Sequence, residues 1–174
     1  MAAVSAQAAT YLGNRTVGTA TVDISITTDD TLGVLGEDNI LDWTIVVTNN
    51  GQTIALNGPL SGDDSSVDIG GNAFTATLTG LFFDFSAPGN NYVAFVNGFR
   101  QSYCVQSNAC FDYNGGEEIA VAGQFVTNFA IVPQRGQQQL ASTAVPEPAT
   151  WAMMLAGFAA VGGAVRTRRQ RLPA

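Results

Sequence analysis

The chain contains no histidine and no lysine, and all seven of its cations are arginine. Without histidine it lacks the commonest general base and the commonest metal ligand, and a Ser-His-Asp triad in its usual form is excluded. Its two cysteines are too few for a four-ligand Cys/His zinc site. Charged residues are only 12% of the sequence. No glycine cluster stands between a strand-like and a helix-like segment, so there is no phosphate-cradling loop. No stretch before residue 149 sustains a helical apolar period. What is present is 174 residues, 46% hydrophobic, with 19 glycines. That length suits one domain, and the composition is that of a β-rich, turn-rich folded chain rather than a disordered one.

Charge is divided unevenly. Residues 1–144 carry Arg15, Arg100 and Arg135 against thirteen acids, and residues 145–174 carry four arginines against Glu147. An acidic body without a basic stripe repels phosphate backbones, which excludes nucleic-acid binding.

Within residues 11–133 apolar residues recur at every second position. Ala20, Val22, Ile24 and Ile26 alternate with Thr21, Asp23, Ser25 and Thr27. Leu41, Trp43, Ile45 and Val47 do so with Asp42, Thr44 and Thr48, and Phe74, Ala76 and Leu78 with Thr75, Thr77 and Thr79. Further strand-like runs follow at residues 81–85, 92–96, 99–105, 119–122 and 125–131. Turn signals separate them, among them Asn49-Asn50-Gly51 and Asn97-Gly98. Asn-Gly between alternating runs marks a hairpin, because a type I′ turn needs positive φ at both central residues. Many short strands at this spacing predict an all-β body of β-sandwich or jelly-roll type.

The two ends read differently. Ala6-Gln7-Ala8 is a small-x-small pattern of the kind that precedes signal-peptidase cleavage, so residues 1–10 read as a signal-peptide remnant or leader. Residues 134–145, with Gln137-Gln138-Gln139, are polar and without pattern and read as a linker. Then come Pro146-Glu147-Pro148, an uncharged apolar run from Ala149 to Val165, and a cluster of Arg166, Arg168, Arg169 and Arg171. The run is long enough to span a hydrocarbon core of about 30 Å as one transmembrane helix. Trp151 at one edge suits the interface, and the arginines at the other would stay on the cytoplasmic side. The two prolines hold their segment extended, as a protease groove requires.

This three-part tail, residues 146–171, resembles the PEP-CTERM sorting signal of Gram-negative bacteria. The resemblance implies an exported protein whose tail is processed near Pro146-Glu147-Pro148 by an exosortase, an integral membrane transpeptidase. It implies anchoring in the inner membrane before processing, then a place on the cell surface or in the extracellular matrix, among exopolysaccharide and biofilm components. The stretches Tyr11-Leu-Gly13-Asn-Arg15-Thr-Val17-Gly18 and Ile40-Leu41-Asp42-Trp43 resemble those of a group of PEP-CTERM proteins, a likeness that implies no activity.

The remaining constellations are modest. Cys104 and Cys110 enclose five residues, which lets an oxidising compartment join them as a disulfide; two buried thiols are the other reading. Asp29, Asp30, Glu37 and Asp38, then Asp63, Asp64 and Asp68, then Asp112, Glu117 and Glu118 form acidic groups. They read as solvated turn acids, or as calcium ligands. Phe82, Tyr92, Phe99, Tyr103, Phe111 and Tyr113 are core aromatics or a sugar-stacking surface. The expectation is a non-enzymatic envelope or matrix protein with no cofactor and no metal. The alternatives are a carbohydrate-active enzyme using a carboxylate pair, or a calcium-dependent adhesive module.

Overall fold

The computed structural model describes residues 8–98, 100–108, 110, 115–122, 127–144 and 158. Thirteen strands follow one another in the described residues. They are β1 Ala9–Val17, β2 Ala20–Thr28, β3 Gly33–Val34, β4 Ile40–Asn49, β5 Gln52–Asn57, β6 Ser66–Gly70 and β7 Phe74–Thr77, then β8 Gly80–Asp84, β9 Tyr92–Val96, β10 Ser102–Gln106, β11 Gly116–Ala122, β12 Thr127–Pro133 and β13 Gln137–Thr143. A single 3-10 turn, Glu37–Asn39, precedes β4. Eight strands form one sheet in the order β3-β7-β8-β13-β1-β2-β4-β5, and five form another in the order β12-β11-β10-β9-β6. Every pairing is antiparallel.

The period-2 pattern accounts for the architecture, because alternate side chains of a strand leave on opposite faces. On β2, Ala20, Val22, Ile24 and Ile26 are buried while Thr21 and Asp23 are exposed. Facing side chains of the two sheets merge into one core. Tyr11, Val22, Ile24, Trp43 and Ile45 of the larger sheet meet Val93, Phe95, Tyr103, Val105 and Ile119 of the smaller. The Trp43 and Phe95 rings cross the gap with centroids 5.7 Å apart. This is the sandwich layering that the strand pattern predicts. The β4–β5 hairpin turns at Asn50 and Gly51, with φ of 50° and 76°, as a type I′ turn demands.

The structure corrects the sequence reading at four places in the body. Leu41 is not an inward member of β4: it is exposed, and Ile40 is buried instead. The register shifts there, Thr27 facing Asp42 and Thr28 facing Ile40, so Leu41 is the extra residue of a bulge. Leu78, read as the end of an inward row, sits at a turn and is exposed. The largest correction concerns the stretch 134–145, read as a linker. It holds β13, which lies between β8 and β1 inside the larger sheet. Its register also shifts between Gln139 and Ala141, and the neighbours Leu140 and Ala141 are both buried. A bulge erases the alternation by which a strand is recognised, and three glutamines hide the rest. At the other end β1 begins at Ala9, inside the stretch 1–10 read as a leader.

The body, residues 1–143, and the tail, residues 144–174, form separate units. Of residues 145–174 the structure describes Phe158, which is helical and exposed. Among the described residues no helix is long and apolar enough to cross a membrane. The expected transmembrane helix 149–165 with Ala149, Trp151 and Val165, the motif Pro146-Glu147-Pro148, and the cluster Arg166, Arg168, Arg169 and Arg171 lie outside the described residues.

Candidate functional site

The polar chemistry of the body's interior converges between the sheets on Arg15. Tyr11, Gly13, Arg15 and Val17 occupy alternate positions of β1, so all four face the interior. Val17 packs in the core, and the other three have distinct tasks. Tyr11 donates its hydroxyl to the Thr77 carbonyl at 3.3 Å. At Gly13 a Cβ would meet the Leu140 carbonyl oxygen at 2.2 Å, so only glycine admits β13 this close. Gly18, with φ of 62°, opens the two-residue turn into β2.

Arg15 reaches across to β11. Its Nε and Nη2 each lie 2.7 Å from Glu117 Oε1. Nη2 also donates to Gln138 Oε1 at 3.0 Å and Nη1 to the Gln139 carbonyl at 3.3 Å. One guanidinium therefore links β1, β13 and the opposite sheet, and it forms the only ion pair among the described residues. Glu117 is fully buried. Burial pushes its carboxyl above the usual range, and Arg15 opposes the shift by hydrogen bond and charge. The Tyr103 hydroxyl beside it is pushed well up, first by burial and then by the Glu117 charge. Among the described residues, Glu117 Oε2 and the Tyr103 hydroxyl find no hydrogen-bond partner of ordinary geometry. A charge pair held this way joins the layers and orients strands; it offers no carboxylate to a solute.

The acids singled out in the sequence are dispersed. Glu117 and its neighbour Glu118 leave β11 on opposite faces; Glu118 accepts from Gln106 on the side away from the core. They do not face each other across a cleft, and Asp112 lies outside the described residues. Asp29 accepts from the Asn39 side chain at 3.1 Å and the Thr31 amide at 3.1 Å, which in that order hold its carboxyl below the usual range. Asp64 accepts from the backbone and side chain of Asn57 at 2.7 and 2.8 Å, and Asp68 accepts from the Tyr92 hydroxyl at 3.1 Å. Glu37 takes the Ile69 amide at 3.1 Å. These carboxylates tie loops to backbone. Among the described residues no three candidate metal-ligating groups gather. Of the aromatics, Tyr103 is buried in the core and Phe82 and Tyr92 are half-buried; Phe99, Phe111 and Tyr113 lie outside the described residues.

Cys104 and Cys110 are joined as a disulfide, with Cα atoms 6.6 Å apart. Cys104 is on the face of β10 turned from the core, and the Cys110 amide donates to Gln106 of the same face. The non-reduced exported protein should weigh two hydrogens less than its reduced form. Reduction should cost about 2 kcal/mol of stability, from the entropy of so short a loop. Two alkylatable thiols in the native exported protein would contradict the pairing.

Arg15 and Glu117 carry no family chemistry in the sequence, yet a parity signal was available. Each occupies an inward position of an otherwise apolar alternation, Arg15 between Gly13 and Val17, and Glu117 two residues before Ile119. Opposite charges at such positions are matched far more cheaply by each other than by solvent-free burial alone.

The remaining motif lies beyond β13, where Ala144 and Val145 alone separate Thr143 from Pro146. Comparison with the curated proteins and with the solved structures finds no match. Residues 144–169 match the family model of the PEP-CTERM protein-sorting motif, a match that takes in Pro146-Glu147-Pro148, the apolar run and Arg166, Arg168 and Arg169. The motif supports export and sorting by an exosortase, and residues 144–169 of the chain carry a PEP-CTERM protein-sorting motif.

Proposed function

We propose that this chain is a non-enzymatic component of the envelope or extracellular matrix of a Gram-negative bacterium. It is anchored in the inner membrane by the helix 149–165, cut by exosortase close to Pro146-Glu147-Pro148, and delivered among exopolysaccharide. The observation that carries this reading is the sorting motif that begins immediately after the last strand of the folded body. Three features of the body support it. Its most deeply buried carboxylate is spent on Arg15, the surface carboxylates of Asp29, Glu37 and Asp64 are spent on backbone amides, and its disulfide suits an oxidising compartment.

The test is processing of the full chain in a host that carries an exosortase. The chain should be cut and its body released. A chain with Pro146-Glu147-Pro148 scrambled to unrelated polar residues should accumulate at full length in the membrane fraction. Equal release of both chains would reduce the tail to an anchor and remove the sorting role. Binding of the released body to a glycan array, with and without calcium, separates a polysaccharide partner from a calcium-dependent adhesive one.

A further inference from the structure

The end of the larger sheet from which the chain leaves for the sorting motif is unlike the rest of the surface. At this end lie the start of β1, the end of β2, the start of β4, the β7–β8 turn and the end of β13. Five exposed leucines lie at or near this end, on different strands and loops. Leu78 sits at the β7–β8 turn and is 76% exposed. In that turn the Thr79 carbonyl accepts the Thr143 amide at 3.2 Å. Leu12 is next to Tyr11, the partner of Thr143. Leu32 follows Thr31, whose hydroxyl meets the Asn39 side chain at 3.4 Å, and Leu41 is the bulge residue beyond Asn39. Leu60, 78% exposed, is held by its amide to Asp42 at 3.0 Å. Among the described residues of the smaller sheet, Ile131 is the one large hydrophobic residue that is exposed.

Single exposed leucines need no explanation, but a group confined to one end marks a contact surface. The tether says what meets it. Three Cα–Cα steps, through Ala144 and Val145, carry the chain from Thr143 to Pro146, a reach of about 10 Å at full extension. A protein interface of ordinary size covers about 800 Å² on each partner, roughly 30 Å across. An enzyme that grips residues 146–148 therefore works within that reach of the end of β13. Charge favours a protein over lipid as the occupant. Asp29, Asp30, Glu37 and Asp38 stand in the same loops, and residues 16–99 contain no arginine. An anionic membrane surface repels such a rim. A protein face with apolar pockets bordered by basic groups complements it.

We propose that this leucine rim, including Leu78 and Leu32 beside the β3-β7-β8 edge, is a second docking surface for the enzyme that processes the tail. Recognition then reads the folded body together with the Pro-Glu-Pro motif. The short tether makes the two contacts cooperate, because binding of the motif brings the rim to high effective concentration. An unfolded body presents no rim and is cut poorly.

The proposal rests on the sorting reading of the tail, and its test keeps the two apart. Cleavage of the full chain is followed in cells with an exosortase, for the native sequence, Leu32→Ser with Leu78→Ser, Ile131→Ser, and the scrambled motif. The paired leucine variant should be cut at least about tenfold more slowly, since a fully buried leucine is worth about 1.5–3 kcal/mol and partial burial of both still exceeds the roughly 1.4 kcal/mol of a tenfold change. Ile131→Ser should be cut at the native rate, and protease resistance of the body should be unchanged in both. A flexible Gly/Ser spacer of about 20 residues after Ala144 should also slow cleavage, and should erase most of the difference made by the leucines. Motif-dependent cleavage that ignores both the leucines and the spacer overturns the rim and leaves sorting intact. Release of the scrambled chain at the native rate overturns the sorting reading itself. The released body is also mixed with phosphatidylethanolamine vesicles. Sedimentation that the paired leucine variant abolishes would make the rim a lipid surface and overturn the enzyme contact.

Discussion

Arg15→Ala should lower the unfolding free energy of the protein by about 3–5 kcal/mol near neutral pH, the usual cost of removing one partner from a buried ion pair. The loss is large because it strands Glu117, which is fully buried, and at the same time frees the Gln138 side chain and the Gln139 carbonyl of β13. Its pH dependence identifies the cause. Burial already raises the Glu117 carboxyl above an ordinary glutamate. Between the unfolded value and that raised folded value, the folded chain keeps a proton that the unfolded chain gives up. This group's contribution to stability therefore falls as pH rises through that window. Arg15 is the group that opposes the rise. Its removal extends the window upward, so the deficit of Arg15→Ala should be greatest near neutral pH and should shrink toward about pH 4, where the stranded carboxyl is protonated at less cost. Arg15→Met with Glu117→Leu replaces both charges by apolar groups and should recover most of the loss. Urea unfolding at several pH values reads all three chains. A deficit that is independent of pH, or that the double variant shares in full, would show that Arg15 acts only by packing.

Ending the chain at Gly136 should abolish cooperative unfolding, whereas ending it at Ala144 should leave the native transition in place. The two chains differ by residues 137–144, of which 137–143 form β13. That strand is interior to the larger sheet, so its loss turns both β8 and β1 into open edges and removes Leu140 and Ala141 from the core. It also removes both β13 acceptors of Arg15. An unpaired interior edge leaves a row of backbone donors and acceptors that neither sheet nor side chain can satisfy, and it invites aggregation. Near-ultraviolet circular dichroism and a urea transition distinguish the outcomes. A chain ending at Gly136 that keeps a native transition would mean that β13 is an accessory strand and that residues 134–145 act as the linker their composition suggests.

The sequence by itself determined the all-β class, most of the strands, the hairpin turn at Asn50-Gly51 and the three-part sorting tail. Those features are local. Alternation, positive-φ turn residues, and a fixed order of prolines, apolar residues and arginines can all be read over short windows. The same local reading placed Cys104 and Cys110 within reach of each other, which the folded chain uses. Only the tertiary structure decided which residues are interior where the period breaks. A bulge put Ile40 inside and Leu41 outside, and a second one buried Leu140 beside Ala141. It alone made an interior strand of Gln137–Thr143, whose glutamines advertise solvent. The reason is that a strand with neighbours on both sides draws its stability from their hydrogen bonds and needs little apolar pattern of its own. It alone also paired Arg15 with Glu117, 102 residues apart in the chain, and brought five exposed leucines from separate strands and loops to the end where the sorting tail begins. A contact between distant segments has no period, and its partners are set by how the sheets face each other.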